Sequence, residues 1–265
     1  MQYYICAIYC IQKKIYSKRI EAVIDASPYI DDRNRALWET MNKRFNISVE
    51  HSVEDCYGNY LIKDDCTIYV CKNEDPSPSS FTHELLHLYL PTKDIRIGST
   101  IQLFLQEHYP QCLIFDKILY DHISNCLEHI KTFPIFVEMG YPTQDFIQDY
   151  ITNKLTDNDL NPIVHYYRVG LFKKRYNVQA VNCFIGKFFA SKADVNPDHN
   201  YDNQLLKLKA LDSQLYSILD GFWNNWIDYD IECKREVWEH NHRTLVDTFD
   251  KELTQWGKNK NFQVV

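Results

Sequence analysis

The sequence predicts an α+β fold: a small sheet with metal-binding helices in the N-terminal part, then a mainly helical C-terminal region. Three observations predict it. Between residues 47 and 72, short apolar-alternating stretches are separated by turn residues, the pattern of strands. After residue 80, apolar residues recur mostly at helical spacing. Two turn-rich stretches, 156–162 and 193–200, mark candidate boundaries. The expected division is a metal-binding domain over 1–155 and a helical region over 156–265 that packs on it.

The elements follow in order. Residues 1–11 are apolar but lack a basic leader and a small-residue cleavage site. They read as a buried strand or helix, not a signal peptide. Residues 31–45 form a capped amphipathic helix with Ala36, Leu37, Met41 and Phe45 on one side. Strands are expected at 47–53, 60–63 and 67–72. Residues 76–80 are a loop that hands over to a helix near Phe81, with Ser79 or Ser80 as its cap and Glu84 assisting from the first turn. Helices are then expected at 99–108 and 115–132, with Pro134 ending or kinking the second. Gly140 closes a turn before a further helix over 143–155. A long helix over 202–226 carries Leu205, Leu208, Leu211, Leu215, Ile218, Leu219 and Phe222. Phe222, Trp223 and Trp226 read as core.

Composition narrows the function classes. The 265 residues include 45% hydrophobic and 25% charged ones, a globular balance. The net charge of −7 argues against a general nucleic-acid binder, which needs clustered positive charge. No stretch approaches the ~20 apolar residues of a membrane span. Nine Cys, an odd number with no Cys-x-x-Cys pair, exclude a disulfide framework and a four-Cys zinc site. Reduced thiols fit a cytoplasmic protein. With seven Gly, the chain has no phosphate-cradling loop, no dinucleotide fingerprint and no Gly-x-Ser-x-Gly elbow.

The residues that carry chemistry are His83-Glu84-Leu85-Leu86-His87. Two His at i and i+4 lie about 40° apart around a helix, so both imidazoles reach one ion. Glu84, at about 100° on the same wheel, can touch a metal-bound water. Phe81, Leu85, Leu88 and Tyr89 form the apolar back. About 0.02 chance matches to this pattern are expected in such a composition, which makes the motif specific. The order of strand, loop and motif helix resembles the zincin metallopeptidases, over about residues 30–140. The resemblance implies a Zn2+ ion on His83 and His87, and Glu84 as general base for hydrolysis of a peptide or protein substrate. It also implies that the strand at 67–71 forms the rim of the cleft.

The third ligand is open among three residues. Zincins of the extended type place a Gly and a third His soon after the motif. Here Leu88-Tyr89-Leu90-Pro91 follows, so that subclass is excluded. The thermolysin-like subclass places a Glu about 20 residues on, in Glu-x-x-x-Asp. Glu107 has that spacing, but position 111 is Gln. The helix around 115–132 offers His129 at the edge of a stripe of Leu119, Ile123, Cys126, Leu127 and Ile130, with Asn125 one turn earlier to hold it. Glu128, on the other flank, is the alternative carboxylate ligand. His129 is preferred. Tyr141 and His199 are candidates to stabilise an oxyanion. Glu239-His240-Asn241-His242 reads as surface, because His at i and i+2 do not share a helix face. The rival class is a non-catalytic interaction protein with a structural or degenerate zinc site.

Overall fold

The structure is a computed structural model that describes residues 23–170, 172, 175–233 and 241–264. The α+β expectation holds: helices alternate with two three-stranded sheets among the described residues. Residues 1–11 and Glu239-His240 lie outside the described residues. Two compact units result, but they are not consecutive stretches divided at 155. Of the described residues, one comprises those up to 95 with 132–150; the other comprises 96–131 with those from 151.

The first unit is built on strands β1 (Asn46–His51), β2 (Gly58–Ile62) and β3 (Asp65–Val70). Their order is β1-β3-β2, with β1 parallel and β2 antiparallel to β3. Strand residues alternate between faces. One face therefore carries Ile47 and Val49 of β1, Cys66, Ile68 and Val70 of β3, and Asn59 and Leu61 of β2. Cys66, Ile68, Val49 and Val70 are buried and form a core with Phe81, Leu85 and Leu88. The other face, with Ser48, Thr67, Tyr69 and Tyr60, is partly exposed.

This core seats the motif helix Pro78–Leu86. It begins before the expected Ser79 or Ser80, because proline is well placed at a first helical position, where its missing N–H is not needed. Ser77 is the cap, its hydroxyl accepting from the Ser80 amide at 3.2 Å. Glu84 consequently stands too far along to help at the first turn. The preceding helix, Arg35–Arg44, packs with Met41 and Trp38, and Ala36 is exposed instead of facing the core. Asn34, fully buried at its start, donates to the Thr82 hydroxyl and the Tyr29 carbonyl, each at 3.0 Å. That side chain ties one helix start to the middle of the motif helix.

A single helix, Lys117–Glu138, continues past Pro134. The expected end does not occur. Phe136, fully buried, contacts Tyr141 and Phe146 at ring-centroid distances of 5.0 and 5.1 Å. Such packing offsets the ~3 kcal/mol a mid-helix proline typically costs. The helix expected over 143–155 is absent. Thr143–Asp145 makes one 3-10 turn and the chain continues in turns.

The second unit is helical, as expected, with one addition. Three short strands, Arg168–Val169, Arg175–Asn177 and Asn261–Gln263, form a small sheet in that order. The expected long helix over 202–226 is two, Asp202–Leu211 and Ser213–Asp228. Asp212 divides them, its carboxylate accepting from the Leu215 amide at 2.9 Å as an N-cap. The same buried carboxylate accepts from Tyr167 Oη at 3.0 Å and Trp256 Nε1 at 3.2 Å. Phe222, Trp223 and Trp226 are buried, as read, and Trp226 Nε1 donates to the Leu127 carbonyl at 2.9 Å. No helix among the described residues is long and apolar enough to cross a membrane.

Candidate metal centre

His83 and Glu84 lie in the last turn of the motif helix and His87 is its C-cap. All three project from one short, firmly packed segment, since Phe81, Leu85 and Leu88 have no exposed surface. The Nε2 atoms of His83 and His87 are 3.2 Å apart. Two nitrogens on a tetrahedral zinc at ~2.0–2.1 Å would be separated by about 3.3 Å, so this pair already has the spacing of one coordination edge. His129 stands on the helix Lys117–Glu138, one turn before the residues that pack beside Phe146. One ligand atom each of His83, His87 and His129 lie within 4.8 Å of one another. This is the one such group of His, Cys, Asp or Glu among the described residues. The three histidines could hold a metal ion.

The electrostatics suit that role. Burial holds the His83 imidazole well below its ordinary pKa, and the neighbouring His87 pushes it the same way. The ring is therefore neutral at pH 7, and only a neutral imidazole binds metal. Phe146 covers the His83 ring edge-on at 4.9 Å.

Glu84 is buried, with 7% of its surface exposed. Its Oε1 is 4.0 Å from His83 Nε2, and its Oε2 accepts a hydrogen bond from Asn59 Nδ2 at 2.7 Å. Burial raises its pKa, opposed by His87 and by the Asn59 amide. No family model, no curated protein and no solved structure matches the chain. The site therefore stands on its own geometry.

The other candidates lie elsewhere. Glu128 is not in the histidine group; its carboxylate accepts from Ser124 Oγ at 2.8 Å. Glu107 is exposed, just beyond the helix Ile97–Leu105. Gln111, which occupies the position of the expected Asp, is fully buried and donates to Asp250 Oδ1 and Thr254 Oγ1. Asn125 makes no hydrogen bond to His129 among the described residues. Tyr141 is not available to an oxyanion, because its hydroxyl donates to Asp31 Oδ1 at 2.9 Å under the Arg33 guanidinium. His199 is held by Asp194 at 2.6 Å in a closed loop network with Tyr201. His242 is buried and not on the surface.

The rim strand also needs correction. Residues 67–71 were expected at the edge, but β3 is central and paired on both sides. Beyond β1, Ile24 donates to the Val49 carbonyl at 2.9 Å. The edge nearest Glu84 is β2, which contributes Asn59. Sequence reasoning missed Asn59. The available signal was an Asn in an otherwise apolar inward register, since Asn is depleted in strands.

Proposed function

We propose that the chain is a zinc-dependent hydrolase that cleaves a peptide bond, with His83, His87 and His129 as ligands and Glu84 as general base. The observation that carries the reading is the pairing of a three-imidazole group with a buried carboxylate that is near it but outside it. Three protein ligands leave a position open, which is the arrangement of catalytic rather than structural zinc sites. A bound zinc supplies Lewis acidity and lowers the pKa of water.

The chain's own groups do the rest. Asn59 occupies Glu84 Oε2, which leaves Oε1, on the His83 side, to take a proton from the attacking water. Burial of Glu84 raises its basicity, which suits a group that must accept and then release a proton near neutral pH. An extended peptide adding to the edge of β2 opposite β3, which no other described strand pairs, would run past Asn59, with Tyr60 and Ile62 exposed along that strand. The substrate class is therefore an extended peptide or a protein segment, and the free thiols fit a cytoplasmic setting.

The test has two parts. Protein purified without chelator should contain about one zinc per chain, lost in His83→Ala. Digestion of a mixed peptide library, read by mass spectrometry, should show cleavage by wild type. Glu84→Gln should keep its zinc and lose cleavage by orders of magnitude. Zinc retained with full cleavage in Glu84→Gln would overturn the mechanism. A fourth protein ligand in a zinc-loaded structure would favour a structural site in an interaction protein.

A further inference from the structure

We infer that Asn59 is a positioning residue for Glu84, holding the carboxylate so that Oε1 faces the metal group. The inference rests on the reading of Glu84 as base and assigns a role to a residue of another element. Asn59 lies directly opposite Ile68 in the β2–β3 register, on the face that otherwise carries Cys66, Val70 and Leu61 toward the motif helix. A polar side chain there has one purpose that the geometry supports: its amide donates to Glu84 Oε2 at 2.7 Å. Charge-assisted hydrogen bonds of this length in a buried setting are strong and directional.

The consequence is orientational. A carboxylate free at both oxygens can rotate about its terminal bond, which has a broad torsional preference. With Oε2 taken, the plane of the carboxylate is set and Oε1 stays 4.0 Å from His83 Nε2. The Asn59 amide bonds Glu84 and not a member of the histidine group, so its loss should leave metal affinity nearly unchanged and remove the alignment of the base. It also links the edge strand β2 of the described sheet to the base. A substrate that shifts β2 would shift the group that activates water.

The test uses Asn59→Leu and Asn59→Asp in the zinc-loaded full chain. Leu removes the donor without adding charge; Asp keeps the shape and replaces the neutral amide with a second carboxyl group, which must share a proton with Glu84. The first readout is binding of acetohydroxamate, which chelates a metal through two oxygens and passes its proton to an adjacent base. Both variants should keep zinc affinity within about threefold of wild type. Both should weaken acetohydroxamate at least about tenfold, as loss of outer contacts at metal sites does. Glu84→Gln should weaken it at least as much, and Asn59→Leu added to Glu84→Gln should weaken it no further, because the two act as a unit. The second readout is cleavage of the best library peptide, where kcat should fall with KM unchanged. If wild type binds the probe no better than Glu84→Gln, the reading of Glu84 as base fails and this inference with it. If wild type exceeds Glu84→Gln but both Asn59 variants match wild type, the inference alone fails. A fall in zinc affinity matching the fall in probe binding would make Asn59 a purely structural residue and overturn it too.

Discussion

Acid should destabilise this chain through His242, and the size of the effect follows from its surroundings. His242 is buried at the first turn of the helix His242–Gly257, after the N-cap Asn241. Its Nε2 is 3.1 Å from Thr100 Oγ1, and that hydroxyl already donates to the Arg96 carbonyl at 2.9 Å. Nε2 must therefore carry the proton of the neutral ring. Burial, and then the adjacent Arg243, lower its pKa from 6.5 to about 4. The helix N-terminus opposes a cation there as well. Because the folded pKa is depressed, neither state holds the proton well above pH 6.5 and the group adds no pH dependence. As pH falls below 6.5, the unfolded chain takes up a proton that the folded chain refuses, and stability drops until about pH 4. Between pH 7.5 and 5 the full shift would remove about 2 kcal/mol, or about 1–2 kcal/mol after allowing for partial solvent contact. His242→Gln keeps a donor at the Nε2 position and has no proton to gain. Urea unfolding of metal-free protein at both pH values should show wild type losing about 1–2 kcal/mol more than this variant. Parallel losses in the two proteins would refute the argument.

Three further outcomes are expected. Competition with a chromophoric chelator at one pH should show His129→Ala weakening zinc by at least about 10–100-fold, with Glu128→Ala and Glu107→Ala near wild type; an order led by either carboxylate would move the third ligand. Gly257→Ala should cost about 1–3 kcal/mol in thermal or urea unfolding, because its Cβ would meet Pro110 Cδ at 2.2 Å and a proline ring cannot swing away; wild-type stability in that variant would contradict the packing. In folded, unreduced protein, a thiol reagent should label exposed Cys112 and Cys233 first among the seven described cysteines. Cys66 should react last, since burial pushes its thiol up to about 12. After denaturation most thiols should react, and a stable disulfide among them would count against a reducing compartment.

The parts of this fold legible in sequence were those set by one dominant local period. The motif helix, the three strands of the first sheet and the helical character of the second unit all have such a period. The parts that escaped were decided by contacts far along the chain. Pro134 reads as a stop or a kink, yet the helix continues past it, with Phe136 packed against aromatic rings on the far side. Asp212 lies inside a regular leucine spacing, and only its Leu215, Tyr167 and Trp256 contacts reveal a cap dividing two helices. At the site, His83, Glu84 and His87 are adjacent in sequence and so were visible. His129 was reachable from a helical wheel, because it borders a buried stripe. Asn59 left only the signal of a polar residue in an apolar register, and which element that register faces is not written in alternation.

The strand order has a consequence for how the first unit is made. β1 and β2 come first along the chain but do not pair with each other; among the described strands each pairs with β3, which follows both. A nascent chain with residues up to 64 exposed holds two strands of this sheet and none of its ladder. When β3 emerges, both ladders become possible at once. The link from β1 to β2 is then fastened across the far end of β3, where Ser52 donates to the Val70 carbonyl and the Lys72 and Asn73 amides donate to Asp55. Asn59 reaches the register that faces the motif helix only at that moment. Glu84 follows β3 in sequence, so the ladder that positions Asn59 is complete in the chain before the motif helix is.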